Sequence, residues 1–208
     1  MIHRLYIVRH GQTQWNVEKR MQGWKDSPLT EEGIVQAKRL SEKLKSVDFH
    51  RVLSSPSSRT MQTARILMDH RSIPLEPMEA FREIRLGRWE GMHYWEIQER
   101  YADAHERFWN RPSTYQPIGD GETFIQARNR ILPALEHVIQ SIHGQSVLLV
   151  THAATKKLIM SYFENRPLDL LWEPPYMHHT AMSIIRFDQN EPFIELYADH
   201  SHLIGSIL

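Results

Sequence analysis

The run SVLLVT at 146–151 constrains the fold most, because it is short, apolar and rich in β-branched residues without polar alternation. Such a run indicates a strand that is buried on both faces, as in a parallel sheet covered by helices. The run LYIV at 5–8 has the same character. Parallel strands need long crossover connections, so helices are expected between these strands.

Further strand and helix patterns alternate along the chain. Thr30 is predicted to cap a helix whose first turn carries two acidic residues. Pro133 lies inside the long helical pattern 122–142 and is expected to kink or interrupt it. The other predicted strands are 52–54, 73–78, 182–187 and 193–197, and the other predicted helices are 31–46, 57–70, 93–109 and 153–164.

This alternation predicts an α/β fold with a mostly parallel central sheet flanked by helices on both faces. The length of 208 residues predicts a single domain spanning 1–208. The aromatic-rich segment at about 93–120 is predicted to form a small helical lid or cap insertion. Its aromatic side chains suit a helix packed into the core equally well.

The composition argues against several classes of function. Lys+Arg and Asp+Glu each number 25, so the net charge is zero and gives no reason to expect binding to nucleic acid or to a membrane surface. No run approaches the roughly 18 apolar residues of a membrane span. The chain has no cysteine, which excludes disulfides, thiolate metal sites and cysteine nucleophiles and favours a cytoplasmic protein.

Histidine is the other unusual feature of the composition, with 13 residues. His178, His179, His200 and His202 lie close together near the end of the chain. We interpret them as surface residues, with His200 and His202 on one strand face. No carboxylate at a recognisable spacing accompanies them, so no metal site is predicted.

Several predicted strands end in residues that suit one shared site. The first strand leads to Arg9 and His10. The second leads to Arg59 at the start of a helix, and SVLLVT leads to His152. Ligands of open α/β sheets bind beyond the carboxyl ends of the strands, so neighbouring strands would bring these side chains together. No acidic residue is expected to balance them, which makes a phosphoryl group the natural occupant.

His10 is the candidate nucleophile of this site. A hydrogen bond from one ring nitrogen to a backbone carbonyl would fix the tautomer that leaves the other nitrogen free to attack. The charges of Arg9 and Arg59 are expected to lower the histidine pKa and keep the ring neutral. Gly11 is expected to let the backbone pass close to the phosphate without a Cβ in the way.

Glu83 is the candidate general acid for the leaving alkoxide. It lies in AFREIRLGRWEG among apolar residues, and burial there would raise its pKa and keep it protonated. Glu90 in the same stretch is the competing carboxylate.

The runs RHGQTQWN, MQGWKDSPLTEEG, LSSPSSRTMQTA, FREIRLGRWEG and VLLVTHA, in this order, resemble the histidine phosphatase superfamily, the phosphoglycerate-mutase-like group. The resemblance implies a phosphohistidine intermediate on His10. It implies that Arg9, Arg59 and His152 bind the phosphoryl group, and it places Glu83 where the family has its proton donor.

The resemblance also assigns residues around the phosphoryl group. Asn16 matches a polar contact at the end of the first motif, and Gln22 and Gly23 match a loop that touches substrate or phosphate. The family needs no metal, and no cofactor is expected. The implied ligands are a phosphorylated small molecule and inorganic phosphate.

Within the family, MQGWKDSPLT is closer to the broad-specificity phosphatases than to the glycolytic mutases, so the main prediction is a metal-independent phosphomonoester phosphatase. A cofactor-dependent phosphoglycerate mutase stays open, since Arg100, Arg107 and Arg111 could form a secondary anion site. A catalytically silent phospho-ligand-binding module is disfavoured, because the chain has both the nucleophile and the acid. The aromatic residues of 93–120 favour an apolar or ring-bearing leaving group, while the physiological substrate and a homo-oligomer stay open.

One departure from the family lies after His152, where this chain has Ala153 and the family often has glycine. Alanine is harmless there if the position is an ordinary helix start, which we expect. Lys156 and Lys157 follow in that helix and are expected to be surface lysines, although Lys156 could add to the positive field of the site.

Overall fold

The computed structural model describes residues 3–69, 71–142, 144–189 and 191–203. Its strands are β1 (His3–Arg9), β2 (Arg51–Ser54), β3 (Leu75–Pro77), β4 (Ser146–Thr151), β5 (Met182–Asp188) and β6 (Glu191–Asp199). Its α-helices are α1 (Gln14–Val17), α2 (Glu31–Lys43), α3 (Ser58–Leu67), α4 (Tyr94–Arg100), α5 (Ala102–Asn110), α6 (Phe124–Ser141) and α7 (Ala153–Glu164). Short 3-10 turns lie at Glu79–Phe81, Gly87–Trp89, Pro112–Thr114, Leu168–Leu170 and Ser201–Leu203.

The strands form one sheet in the order β3-β2-β4-β1-β5-β6. The pairs β1–β4, β2–β4 and β2–β3 are parallel, while β1–β5 and β5–β6 are antiparallel. The two runs that first indicated a buried sheet, β1 and β4, are direct neighbours at its centre. The predicted α/β fold with a mostly parallel sheet is therefore confirmed.

Alternate side chains of the central strands enter two separate cores. Ile7 and Leu149 lie in the cluster that packs against α6 and α7. Val8 and Val150 lie in the cluster that packs against α2 and α3. Each fully buried side chain of this kind stabilises the fold by roughly 1.5–3 kcal/mol, so both sheet faces need their helices. This explains why the strands show no polar alternation.

The helix boundaries follow the predicted signals with two exceptions. Thr30 caps α2 by accepting a hydrogen bond from the Gly33 N–H, as predicted. Pro133 does not interrupt α6, because the helix continues through it. Both Pro133 and Asn129, whose carbonyl would have been its partner, are exposed, so water can take the place of the missing hydrogen bond. The last residue of the helix predicted at 57–70 lies outside the described residues.

The predicted helix at 93–109 is two helices, α4 and α5, separated at Tyr101, whose φ of −137° and ψ of 45° are not helical. Aromatic rings anchor α5 to the body of the fold. Phe108 lies 5.5 Å from Trp89 and 5.0 Å from Phe124 between ring centroids. The lid therefore shares a core cluster with α6 and α7.

A search of the described residues for membrane-crossing helices finds none that is long and apolar enough.

Candidate active site

The sheet order brings the predicted site residues together at the carboxyl ends of the central parallel strands. His10 directly follows β1 and His152 directly follows β4, and these strands are adjacent and parallel. The two imidazole centroids lie 5.4 Å apart. Arg59, in the first turn of α3, bonds through its Nη2 to Nδ1 of His152 at 3.0 Å. The structure thus brings these side chains together, while their catalytic roles stay predictions.

His10 is only 3 % exposed, and its Nδ1 lies 2.7 Å from the carbonyl oxygen of Gly11. Because a carbonyl only accepts, Nδ1 carries the proton and Nε2 keeps its lone pair. Burial lowers the pKa of His10 well below its usual value, and the charges of Arg59 and Arg9 add to this effect. The ring is therefore a neutral imidazole with one nitrogen available as a nucleophile.

Gly11 has a different role from the expected one. A Cβ on Gly11 would lie 2.5 Å from the carbonyl oxygen of Gly33, at the start of α2. The glycine therefore allows a helix, rather than a phosphate, to approach the strand end closely.

Arg59 is held from several sides. Its Nη1 donates to the Lys25 carbonyl and to Asp26 Oδ1, both at 2.9 Å. Its Nη2 also donates to the Gly23 carbonyl at 2.8 Å. The expectation that no acid balances the cations is therefore wrong, since Asp26 forms an ion pair with the buried Arg59. Asp26 lies within the MQGWKDSPLT motif, which already stood out in the sequence. Its contact with Arg59 could not be predicted, because the two residues are 33 positions apart in the chain.

Two buried guanidinium N–H groups of this site have no protein partner among the described residues. The Nη1 of Arg9 donates to the Met177 carbonyl at 2.5 Å. The Nε atoms of Arg9 and Arg59 are both buried and have no hydrogen-bond partner. An unsatisfied buried donor costs roughly 1–3 kcal/mol, more for a charged group. The two guanidinium groups line the pocket beside His10, so a ligand that supplies acceptor oxygens would be favoured there.

His152 is fully buried, and both of its ring nitrogens have protein partners. Since Arg59 only donates, Nδ1 of His152 accepts and Nε2–H donates to Ser55 Oγ at 2.7 Å. Burial lowers the pKa of His152 well below its usual value, followed by the charge of Arg59. Ala153 begins α7 and is not among the residues with positive φ, so its backbone is that of an ordinary helix start, while its predicted harmlessness stays a prediction.

Glu83 lines the pocket together with the apolar Ile84 and Leu86, and both of its carboxylate oxygens also accept hydrogen bonds. Its Oε2 accepts from the Ala154 N–H at 3.1 Å, and its Oε1 accepts from the Thr155 N–H at 3.0 Å. The Thr155 hydroxyl also donates to Oε1 at 3.1 Å. The first turn of α7 therefore holds this carboxyl group in place, while the flanking Ile84 faces the core.

The competing carboxylate, Glu90, supports a loop. Its Oε1 accepts from the backbone N–H groups of Trp24 at 2.9 Å and Leu86 at 3.1 Å. A Cβ on Gly23 would lie only 2.4 Å from this same Oε1 atom of Glu90. Gly23 has a φ of +54°, so glycine is favoured there for its backbone as well as for this close contact.

Asn16, Gln22 and Gly23 all line the pocket, and each also has a structural contact. Asn16 Oδ1 accepts from the Thr13 N–H at 3.1 Å and forms the capping box of α1. Gln22 Nε2 donates to Thr13 Oγ1 at 2.8 Å. Their predicted contact with substrate or phosphate stays a prediction.

Beyond Arg9, His10 and Arg59, the pocket is mostly lined by apolar residues. Trp109 and Trp172 contribute indole rings whose centroids lie 4.8 Å apart. The aromatics of the lid therefore divide between two positions, since Tyr94 and Trp109 line the pocket while Tyr115 is fully buried. The remaining pocket residues outside the predicted set are Arg20, Met21, Ile84, Leu86, Phe108, Ala153 and Ala154. No sequence signal pointed to Trp172, which lies far from every motif.

The candidate secondary anion site is not formed. Arg107 bonds to Asp103 at 2.9 Å within α5. Arg111 bonds to Glu106 at 2.6 Å, and Arg100 lies 3.9 Å from Glu96 within α4. None of the three arginines lines the pocket.

The structure also corrects the expectations for histidines and lysines near the end of the chain. His200 and His202 do not share a strand face, because β6 ends at Asp199 and His202 lies in a 3-10 turn. Only His178 of the four histidines is exposed, and its ring centroid lies 4.3 Å from that of His200, with the two rings tilted by 34°. Lys156 and Lys157 are both buried rather than on the surface. The described residues contain no cluster of three or more His, Cys, Asp or Glu side chains that could hold a metal ion.

Comparison with known proteins gives consistent results. Residues 5–200 match the family described as the histidine phosphatase superfamily (branch 1). The adenosylcobalamin/alpha-ribazole phosphatase of Escherichia coli (strain K12) is 29% identical over 202 residues, which cover 97% of this chain and 98% of that protein. The "Probable phosphoglycerate mutase GpmB" of Enterobacter sp. (strain 638) is 31% identical, covering 96% of this chain and 94% of that one.

Among solved structures, Bacillus stearothermophilus YhfR superposes with a TM-score of 0.93 at 42% sequence identity, covering 97% of this chain and 99% of that chain. The resemblance seen in the five motifs is thereby confirmed, and so is the enzyme class, a phosphatase of this superfamily. The match over nearly the whole length establishes that this chain belongs to the histidine phosphatase superfamily, branch 1.

Proposed function

We propose that the chain is a metal-independent phosphomonoester phosphatase that acts through a phosphohistidine intermediate on His10. The observation that carries this proposal is the pair of guanidinium groups, Arg9 and Arg59, that line the pocket beside a neutral His10. A phosphoryl group offers acceptor oxygens to these donors and an electrophilic phosphorus to the imidazole.

The reaction consists of two displacements at phosphorus. His10 Nε2 donates its lone pair to form the P–N bond while the P–O bond to the leaving group breaks, and Glu83 gives a proton to the leaving oxygen. Water then attacks the phosphohistidine, Glu83 takes a proton from it, the P–N bond breaks and phosphate leaves. Arg9 and Arg59 stabilise the charge on the phosphoryl oxygens in both steps.

Positioning supports these roles. Glu83 is bonded to the first turn of α7, and the residue before that helix is His152, which contacts Arg59. The proposed acid and one arginine of the phosphoryl site are thus attached to the same helix start, which keeps them in register.

The hydrolase is favoured over the mutase by the contacts of the lid. A mutase must hold a carboxylate of phosphoglycerate, and the lid arginines are instead paired with acids of their own helices. The pocket wall of Met21, Trp109 and Trp172 favours a phosphorylated small molecule with an apolar or ring-bearing leaving group. The cytoplasmic location, the single domain and the possible homo-oligomer stay predictions.

The test is phosphate release from p-nitrophenyl phosphate, 3-phosphoglycerate, a nucleotide monophosphate and a sugar bisphosphate, in the presence of EDTA. We expect release by the wild type, fastest with the aryl ester, and a loss of at least about 10³-fold in His10→Ala. His137→Ala is the matched control, because His137 is an exposed histidine of α6. Full activity in folded His10→Ala, or no release from any ester by the wild type, would contradict the proposal.

A further inference from the structure

Lys156, in the second turn of α7, has an unusual setting for a lysine. The residue is 0 % exposed, and its Nζ donates to the carbonyl oxygen of Ala181 at 2.5 Å. Burial lowers the pKa of Lys156 well below its usual value, and the neighbouring charge of Arg9 adds to this. A buried amine close to another cation destabilises a fold, so an apolar residue would be the better choice for stability alone.

The acceptor of Lys156 belongs to the segment 177–181, which contacts the end of β1 at several points. The Ala181 carbonyl also accepts from the backbone N–H of Arg9 at 3.2 Å. The Met177 carbonyl accepts from the Arg9 guanidinium, and the Thr180 N–H donates to the His10 carbonyl at 3.3 Å. This segment therefore determines where the guanidinium of Arg9 lies.

We propose that Lys156 is a positioning residue for the phosphoryl site, which acts by fastening the segment 177–181 to α7 and so holding Arg9 in place. This inference rests on the proposed phosphoryl site. The bond from Lys156 to the Ala181 carbonyl joins α7 to the segment that holds Arg9. The same helix carries Ala154 and Thr155, whose N–H groups donate to Glu83. The proposed acid and Arg9 then keep a fixed separation.

A methionine at 156 distinguishes this role from a merely structural one. Methionine is also long and unbranched, so it fills similar space without the cost of burying an amine. If Lys156 only fills the core, Lys156→Met is neutral or stabilising and leaves oxyanion binding unchanged. If Lys156 positions Arg9, the variant stays folded and binds oxyanions more weakly.

Lys157 gives a matched control in the next position of the same helix. It is 3 % exposed, and its Nζ donates to the Glu173 carbonyl, outside the segment 177–181. It does not line the pocket. Lys157→Met therefore removes a less deeply buried amine from the same helix without touching the Arg9 contacts.

The experiment is a calorimetric titration with orthovanadate, together with the melting temperature of each variant. We expect the vanadate Kd to rise about tenfold in Lys156→Met, the size of one hydrogen bond to a charged group, and to stay within twofold in Lys157→Met. In an Arg9→Ala background the effect of Lys156→Met is expected to vanish, because both changes remove the same interaction.

An unchanged Kd in folded Lys156→Met, an equal rise in Lys157→Met, or additive effects with Arg9→Ala would each overturn the inference. If Lys156→Met does not fold, Lys156→Gln takes its place. We expect a smaller rise in the vanadate Kd for this variant, because its amide can still donate to the Ala181 carbonyl. Comparison with the Arg9→Ala background then tests the inference in the same way. Absence of vanadate binding by the wild type would instead contradict the proposed phosphoryl site itself.

Discussion

Individual residues decide how much positive charge the pocket presents. Arg59 is 1 % exposed and has four protein acceptors, of which only Asp26 carries a negative charge. Burial raises the pKa of Asp26, but the charge of Arg59 and the hydrogen bonds from Ser58 outweigh it, and the pKa is lowered overall. The aspartate therefore neutralises part of the field that attracts a phosphoryl group.

Asp26→Asn is expected to separate stability from anion binding. The amide keeps one acceptor oxygen for Arg59 but loses the one that accepts from the Ser58 N–H and hydroxyl. The three uncharged acceptors keep the Arg59 guanidinium in place. Loss of the carboxylate charge should lower the free energy of unfolding by about 1–3 kcal/mol. It should also tighten vanadate binding by about three- to tenfold, because the pocket gains net positive charge.

Urea unfolding and vanadate titration measure both effects. Asp103→Asn is the control, since Asp103 pairs with Arg107 on the exposed side of α5, and an exposed pair contributes little. Weaker vanadate binding in Asp26→Asn would mean that Asp26 is needed to aim Arg59.

At the scale of elements, the contact between α2 and the end of β1 fixes the position of His10. A Cβ on Gly33 would lie 2.1 Å from the carbonyl oxygen of Gln12, and one on Gly11 would lie 2.5 Å from the Gly33 carbonyl. The two glycines therefore let the first turn of α2 lie directly against the strand end, at a distance that other residues would prevent.

Gly33→Ala tests this contact, because helix propensity and packing predict opposite signs. In a free helix the substitution would stabilise by roughly 0.5–1 kcal/mol. Here the Cβ meets backbone that cannot rotate away, so we expect destabilisation of about 1–3 kcal/mol and reduced phosphatase activity. Urea unfolding and p-nitrophenyl phosphate turnover are the measurements, with Lys38→Ala on the same helix as the control. A stabilised Gly33→Ala variant would rule out the close contact.

At the scale of the whole molecule, the sequence predicts what depends on strong local patterns. β1 and β4 are continuous apolar runs, and residues that follow such strands meet at one sheet edge, so Arg9, His10 and His152 could be placed together. The ion pair of Asp26, the wall formed by Trp172 and the burial of Lys156 depend on tertiary contacts. Residues 25 or more positions apart make these contacts, so no local sequence periodicity indicates them.

The buried histidines give the whole molecule a predictable response to acid. Burial, followed by the charge of Arg59, lowers the pKa of both His10 and His152 well below the usual value. Burial, followed by the charge of Arg9, lowers the pKa of His179 to about 3. In the unfolded chain each of these groups has a pKa of about 6.5. Between the two values the unfolded chain binds protons that the folded chain does not.

Because folding lowers these pKa values, the three neutral histidines leave the free energy of unfolding at its full value above about pH 6.5. That free energy falls as the pH falls towards the folded-state pKa values. Each histidine then removes about 1.4 kcal/mol from the free energy of unfolding at pH 5.5, and the three together about 4 kcal/mol. Urea unfolding in phosphate-free buffer at pH 7.5 and 5.5 measures the loss. His179→Asn should reduce it by about 1.4 kcal/mol, the share of one such histidine. Equal stability at both pH values would instead mean that these imidazoles accept protons in the folded state.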